Sequence, residues 1–141
     1  MNFQDHYEAL YGQSRSALDA GGMASVPLVH VFSGDDLSGV PYSPPFVIYR
    51  QDVERPIGTT GGGASKVLRS SWVFSAYTFG LAEGLGAISL IATGLTASGP
   101  KLTTADGYVT THFAIEGHQS LFDQAANAFA SHLRIFWERS C

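Results

Sequence analysis

Three groups of residues in this chain are of types that can do chemistry. The run Gly58 to Lys66, GTTGGGASK, is dense enough in glycine to suggest a phosphate cradle. A Walker loop needs GxxxxGK followed by Ser or Thr, so that backbone N–H groups surround the phosphates and the lysine reaches them. Counting from Gly58, Gly63 takes the second glycine position, but Ala64 stands where the lysine must be. The run also leads into a predicted strand, whereas a phosphate needs the N-terminus of a helix. It is therefore expected to be a hairpin tip, with no nucleotide and no other cofactor.

The second group is the histidines: His6, His30, His112, His118 and His132. His112 and Glu116 share a face of one predicted strand, with His118 just beyond. Residues four apart on a strand are about 13 Å apart, too far to hold one ion. No HxxxH or HExxH spacing occurs, and Cys141 is the only cysteine, so neither a histidine-pair nor a cysteine-based zinc site is expected. The third group is the nucleophiles and carboxylates. The serines lack a GxSxG elbow, Cys141 has nothing preorganised around it, and the adjacent pair Asp35 and Asp36 falls in a turn-rich stretch where carboxylates cap turns. The expectation is a protein without enzymatic activity.

The elements that would position these residues follow from periodicity. Phe3, Tyr7, Leu10, Tyr11, Ala17 and Leu18 recur at three- and four-residue spacing, which predicts a helix over about 3–19 ended by Gly21-Gly22. Leu28 to Phe32 is short and β-branched and predicts a strand. Ser33 to Pro45, rich in Gly, Asp and Pro, predicts turns. A second strand is expected over Phe46 to Val53, with Val47, Tyr49 and Val53 on one face and Phe46, Ile48, Arg50 and Asp52 on the other. The glycine run joins it to a third strand, Ser70 to Phe79, making a long hairpin with a mobile tip.

Leu81, Leu85, Ile88, Ala92 and Leu95 repeat with helical period and predict a second helix over about 81–97. It is apolar nearly all round, so it is expected to be largely buried. Its glycines, Gly84, Gly86 and Gly94, weaken the helix locally and let a neighbouring element approach closely. Tyr108 to Glu116 and Phe129 to Glu138 predict the last two strands, with Ser120 to Asn127 as a helical turn or structured loop between them. In the final strand Phe129, Leu133, Ile135 and Trp137 point inward, and His132, Arg134, Phe136 and Glu138 point out. The expected fold is α+β: a mixed, mainly antiparallel sheet of about five strands packed on two helices, in the order α-β-β-β-α-β-β, as one domain over 1–141.

Composition narrows the function classes. A chain of 141 residues can bury roughly 68–70% of the surface it exposes when unfolded, enough for a true core. Charged residues make up 14%, well below the ~25% of an average soluble protein, which suits a surface partly covered by neighbours. The net charge is −4 and the eight basic residues are scattered, so tight DNA binding is disfavoured. No apolar run is long enough to span a bilayer, and the acidic opening MNFQDHYEAL is unlike an export signal. The expectation is a chain neither exported by a leader nor embedded in a membrane.

In element order and local pattern the chain resembles the tail terminator (tail completion) proteins of long-tailed bacteriophages, which are small acidic α+β domains. The resemblance rests on Tyr7 to Ala20, on the Pro-led strand PPFVIYRQDVER, on the strand-helix pair SSWVFSAYTFGLAEGLGAISLIATGL and on the ending LFDQAANAFASHLRIFWER. It implies a homohexameric ring on the head-proximal end of the tail tube, in the neck of the virion and assembled in the host cytoplasm. Such a ring stops tube polymerisation and joins the tail to the head.

The implied partners are other copies of the chain, the tail tube protein and the head-tail connector or stopper protein. DNA would pass through the acidic lumen without specific binding. Phe46 and Ile48 on the second strand, with Arg134 and Phe136 on the last, are the expected subunit contacts. The tip residues Gly58, Thr59, Thr60, Gly61, Gly62, Gly63 and Lys66 would order on meeting tube or connector. Two other readings share the composition: a connector-side stopper or neck protein, and a small-ligand-binding α+β domain whose aromatic strands line a pocket.

Overall fold

The computed structural model describes residues 3–31, 43–60, 65–98 and 107–140. In chain order the elements are α1 (Phe3–Ala20), β1 (Leu28–His30), β2 (Phe46–Thr60), β3 (Ser65–Thr78), α2 (Leu81–Ser98), β4 (Val109–Asp123) and β5 (Ala128–Ser140). The strands form one sheet in the order β1-β2-β3-β5-β4. Only β1 and β2 run parallel; the other three pairings are antiparallel. This is the α+β architecture, in the element order, that the periodicities predict.

Both helices lie on one face of the sheet. Strand alternation sends Val47 and Tyr49 of β2, Trp72, Phe74 and Ala76 of β3, and Leu133, Ile135 and Trp137 of β5 to that face. There they meet Leu10 and Leu18 of α1 and Ala87, Ile88, Ile91 and Leu95 of α2. Trp72, Phe74, Ile135 and Trp137 are fully buried, so this interface is the main source of hydrophobic stabilisation. The buried stripe of α1 is His6, Leu10, Ser14 and Leu18, one residue per turn. It includes two polar residues that a hydropathy reading discounts, while Tyr11, expected on the apolar face, is 41% exposed.

Two close approaches fix the helices. A Cβ on Gly94 of α2 would lie 2.6 Å from the Cβ of Ala17 in α1, and one on Gly84 would lie 2.8 Å from the hydroxyls of Ser131 and Thr78 on the sheet. The small residues of α2 thus serve contact, as their spacing suggests. The C-terminus of α1 closes with Gly22 in the left-handed region (φ 84°). The Met23 N–H donates to the Leu18 carbonyl and the Gly22 N–H to that of Asp19, a Schellman arrangement. Arg15 then binds the connection that follows: its guanidinium donates to the carbonyls of Val26 (2.6 Å) and Met23 (2.9 Å) and pairs with Asp19.

Several sequence-based expectations change. Strands β2 and β3 extend into the glycine run, with Gly58 opposite Val67, Thr59 opposite Lys66 and Thr60 opposite Ser65. Most of the predicted loop is therefore ladder, because glycine and threonine leave nothing to prevent pairing between strands already in register. Likewise β4 continues to Asp123 instead of stopping at Glu116. The Asp123 carboxylate accepts the N–H groups of Ala125 and Ala126, and Asn127 takes φ 50°, so a tight polar turn replaces the predicted helical turn. Finally α2 is not buried all round: Leu81, Glu83, Ser89, Thr93 and Thr96 are exposed, because a two-layer fold covers a helix only on its sheet side and on its α1 flank. The turn-rich stretch with Asp35 and Asp36 lies largely outside the described residues.

Candidate assembly surfaces

Among the described residues the sheet has two long edges without a strand beyond them. β1 covers only Val47, Ile48 and Tyr49 of β2, so among the described residues Arg50 to Thr60 pair on one side alone. At the opposite edge the 15 residues of β4 pair, among the described residues, only with β5. β4 also carries the exposed apolar residues Val109, Ile115, Leu121 and Phe122. Unpaired strand edges are templates for adding another strand. Bulges interrupt both edges, between Gln51 and Val53 and between Pro56 and Gly58 on β2, and between Ile115 and Gly117 on β4, which restricts the registers an incoming strand could adopt.

One end of the sheet is apolar. Thr78, Phe129 and Phe122 lie in register across β3, β5 and β4, and the rings of Phe122 and Phe129 pack edge to face at 5.3 Å. Phe79, next along from Thr78, is 64% exposed, Phe122 49%, and Leu81 and Leu121 about as much as each other. Large apolar side chains gathered at one end of a chain this poor in charge mark a contact surface.

The sheet face away from the helices is graded. At the apolar end Phe46, Ile48, Tyr77 and Ala130 form a second buried cluster, with Phe46 stacked on Tyr77 at 5.0 Å. Phe46 and Ile48 are 5% and 1% exposed, so within this chain they are taken up by its own core and offer little to a neighbour. In the middle lies a groove of about 390 Å³ lined by Arg50, Val73, His132, Arg134 and the Glu116 to Gln119 stretch of β4. Toward the other end Phe136 sits under the Arg69 guanidinium (5.1 Å) and beside the His112 ring (5.4 Å).

Within the groove, Arg134 is exposed and pairs with Asp52 across the sheet. The Nδ1 atom of His132 lies 2.7 Å from the Ser75 hydroxyl. Burial, and then the Arg50 charge, push the His132 imidazole below its ordinary pKa, against a weaker pull from Asp123. Tyr77 is pushed up by burial and by Asp123. Among the described residues no three His, Cys, Asp or Glu side chains gather as a metal-ligand group.

Of the residues singled out in the sequence, Arg134 and Phe136 do share the outer face with Phe46 and Ile48. Gly58, Thr59, Thr60 and Lys66 lie in paired strand at the hairpin end, and Gly61, Gly62 and Gly63 lie outside the described residues. The sequence reading did not single out Phe79, Leu121, Phe122 or Arg50. The adjacent apolar pair Leu121-Phe122 after the polar run EGHQS was the available signal for the first group.

No family model matches the chain, and no curated protein matches it. Among solved structures, its fold is similar to that of a chain in the "Virion of native gene transfer agent (GTA) particle", 15% identical in sequence with a TM-score of 0.64 over 94% of this chain and 92% of that one.

Proposed function

We propose that this chain is a structural virion protein that forms a ring at the head-proximal end of a phage tail tube, ends tube polymerisation and joins tail to head. The observation that carries this reading is the pair of long edges, open among the described residues, on opposite sides of one sheet. Two different edges, one on each side, are what a heterologous contact needs, and such contacts close into a ring when the rotation between copies divides the circle evenly. The hairpin end with Thr60 and Ser65 then faces along the ring axis, toward the tube or the connector. The likeness of fold to a chain of a gene transfer agent virion, over almost the full length of both, supports a virion role. The work is done by contacts, without catalysis or cofactor.

Electron microscopy of particles produced with the gene for this chain deleted tests the reading. The expected result is overlong tails separated from filled heads. Tails of normal length left unattached would transfer the chain to the connector-side stopper role, and intact particles would end both proposals.

A further inference from the structure

The two layers differ in the charges they expose among the described residues: the helix layer shows mainly carboxylates, and the outer sheet face shows arginines set among carboxylates. Among the described side chains of the helix layer the exposed carboxylates are Glu8, Asp19 and Glu83, and the one arginine, Arg15, is committed to backbone carbonyls and Asp19. The outer sheet face carries Arg50, Arg69 and Arg134 together with Asp52, Glu116 and Glu138. Arg69 is occupied by Glu138 and the Phe136 ring. Arg50 and Arg134 stand on either side of β3 in a single cross-strand row: Arg50 opposite Val73, Val73 opposite Arg134, and Arg134 opposite Gly117.

Strand spacing puts their Cα atoms about 10 Å apart, with only the short Val73 between and no side chain at Gly117. Arg50 is half-buried and makes no hydrogen bond or ion pair among the described residues. Arg134 holds Asp52 through one Nη and keeps further donors. A half-buried guanidinium without a counter-charge, facing a second guanidinium across a groove, is a receptor for a planar carboxylate. Glu116, the acidic residue of the groove wall, pairs with neither arginine.

We propose that this groove receives Glu83 from a second copy of the chain, seating the start of α2 of one subunit on the outer sheet face of the next. Glu83 lies in the first turn of α2, exposed and without an ion pair among the described residues. Leu81 and Phe79, also exposed, stand two and four residues before it and supply the apolar contact that surrounds a desolvated charge pair. The contact is heterologous: it uses an acidic knob on one layer and a basic groove on the other. This inference rests on the ring-forming reading and names the pair of side chains that would orient the copies.

A charge-swap cycle on the full chain, read by sedimentation over a concentration series up to about 1 mM, tests it. Arg50→Glu and Glu83→Arg should each weaken self-association at least tenfold, and the double variant should recover most of it. Arg50→Gln and Glu83→Gln, weaker in effect, serve if either reversal fails to fold by circular dichroism. Association of the wild type with no loss in the single variants, or loss without recovery in the double, overturns the Glu83 groove and leaves the ring reading standing. A wild type that stays monomeric throughout overturns both.

Discussion

The two faces of the sheet are built from alternate residues of the same strands, yet they do different work. On β3, Trp72, Phe74 and Ala76 point to the helices and vanish into the core, while on the other side Val73 floors a polar groove and Ser75 meets His132. The helix-covered face holds the fold together. The outer face is finished only at its apolar end, and elsewhere it presents arginines, a histidine and a half-buried phenylalanine. Among the described residues both helices lie on one face, and under the proposed ring reading the other face is the one available to partners.

The difference should appear as a split between variants that unfold the chain and variants that leave it folded. The largest effect is expected from Trp72→Ala. It removes a fully buried indole whose Nε1 donates to Ser70, and should cost about 3–5 kcal/mol in denaturant unfolding. A loss below about 1 kcal/mol would mean the helix face is not the stabilising one.

Next comes Gly94→Ala. The added methyl meets Ala17 of α1 at 2.6 Å, and the overpacking should exceed the gain in helix propensity, for a net cost of about 1–2 kcal/mol. Pairing it with Ala17→Gly should recover the loss, and a stabilised single variant would show that the helices are free to part.

The smallest effect belongs to the outer face and depends on pH. His132 has its pKa lowered in the folded state by burial and by Arg50, so the unfolded chain binds the proton more readily. Its contribution is therefore complete above about pH 6.5, the unfolded value, and is lost as pH falls from there toward the folded pKa. Arg134 and Glu116 line the same groove, and Asp123 partly opposes the shift. His132→Gln should flatten the fall in melting temperature between pH 7.5 and 5.5 relative to wild type. Parallel curves would remove His132 from the account.

The sequence carried the architecture because each helix and strand has a strong period and because Gly21-Gly22 and the Pro-rich stretch punctuate it. It was less informative where pairing overrides local preference. Nothing in GTT or in the EGHQSLFD run forbids a loop, and only their partners across the ladder make them strand. Burial of polar residues was equally hidden. Arg139 at the end of β5 is fully buried, laid over the Trp137 ring at 4.2 Å with an N–H to Ser70, although by residue type it belongs on the surface. The candidate surface was half legible: alternation put Arg134 and Phe136 outward, whereas the burial of Phe46 and Ile48 depends on Tyr77 and Ala130, distant in the chain.

The guanidinium of Arg15, fastened to the carbonyls between α1 and β1, has a mechanical consequence. β1 is three residues long and on its own would be easily displaced by an invading strand competing for β2. Because the connection is riveted to the helix, peeling β1 away means dragging α1 off the core as well. That couples a weak seam to the strongest part of the molecule, so β1 is held in place by more than its own three residues of ladder.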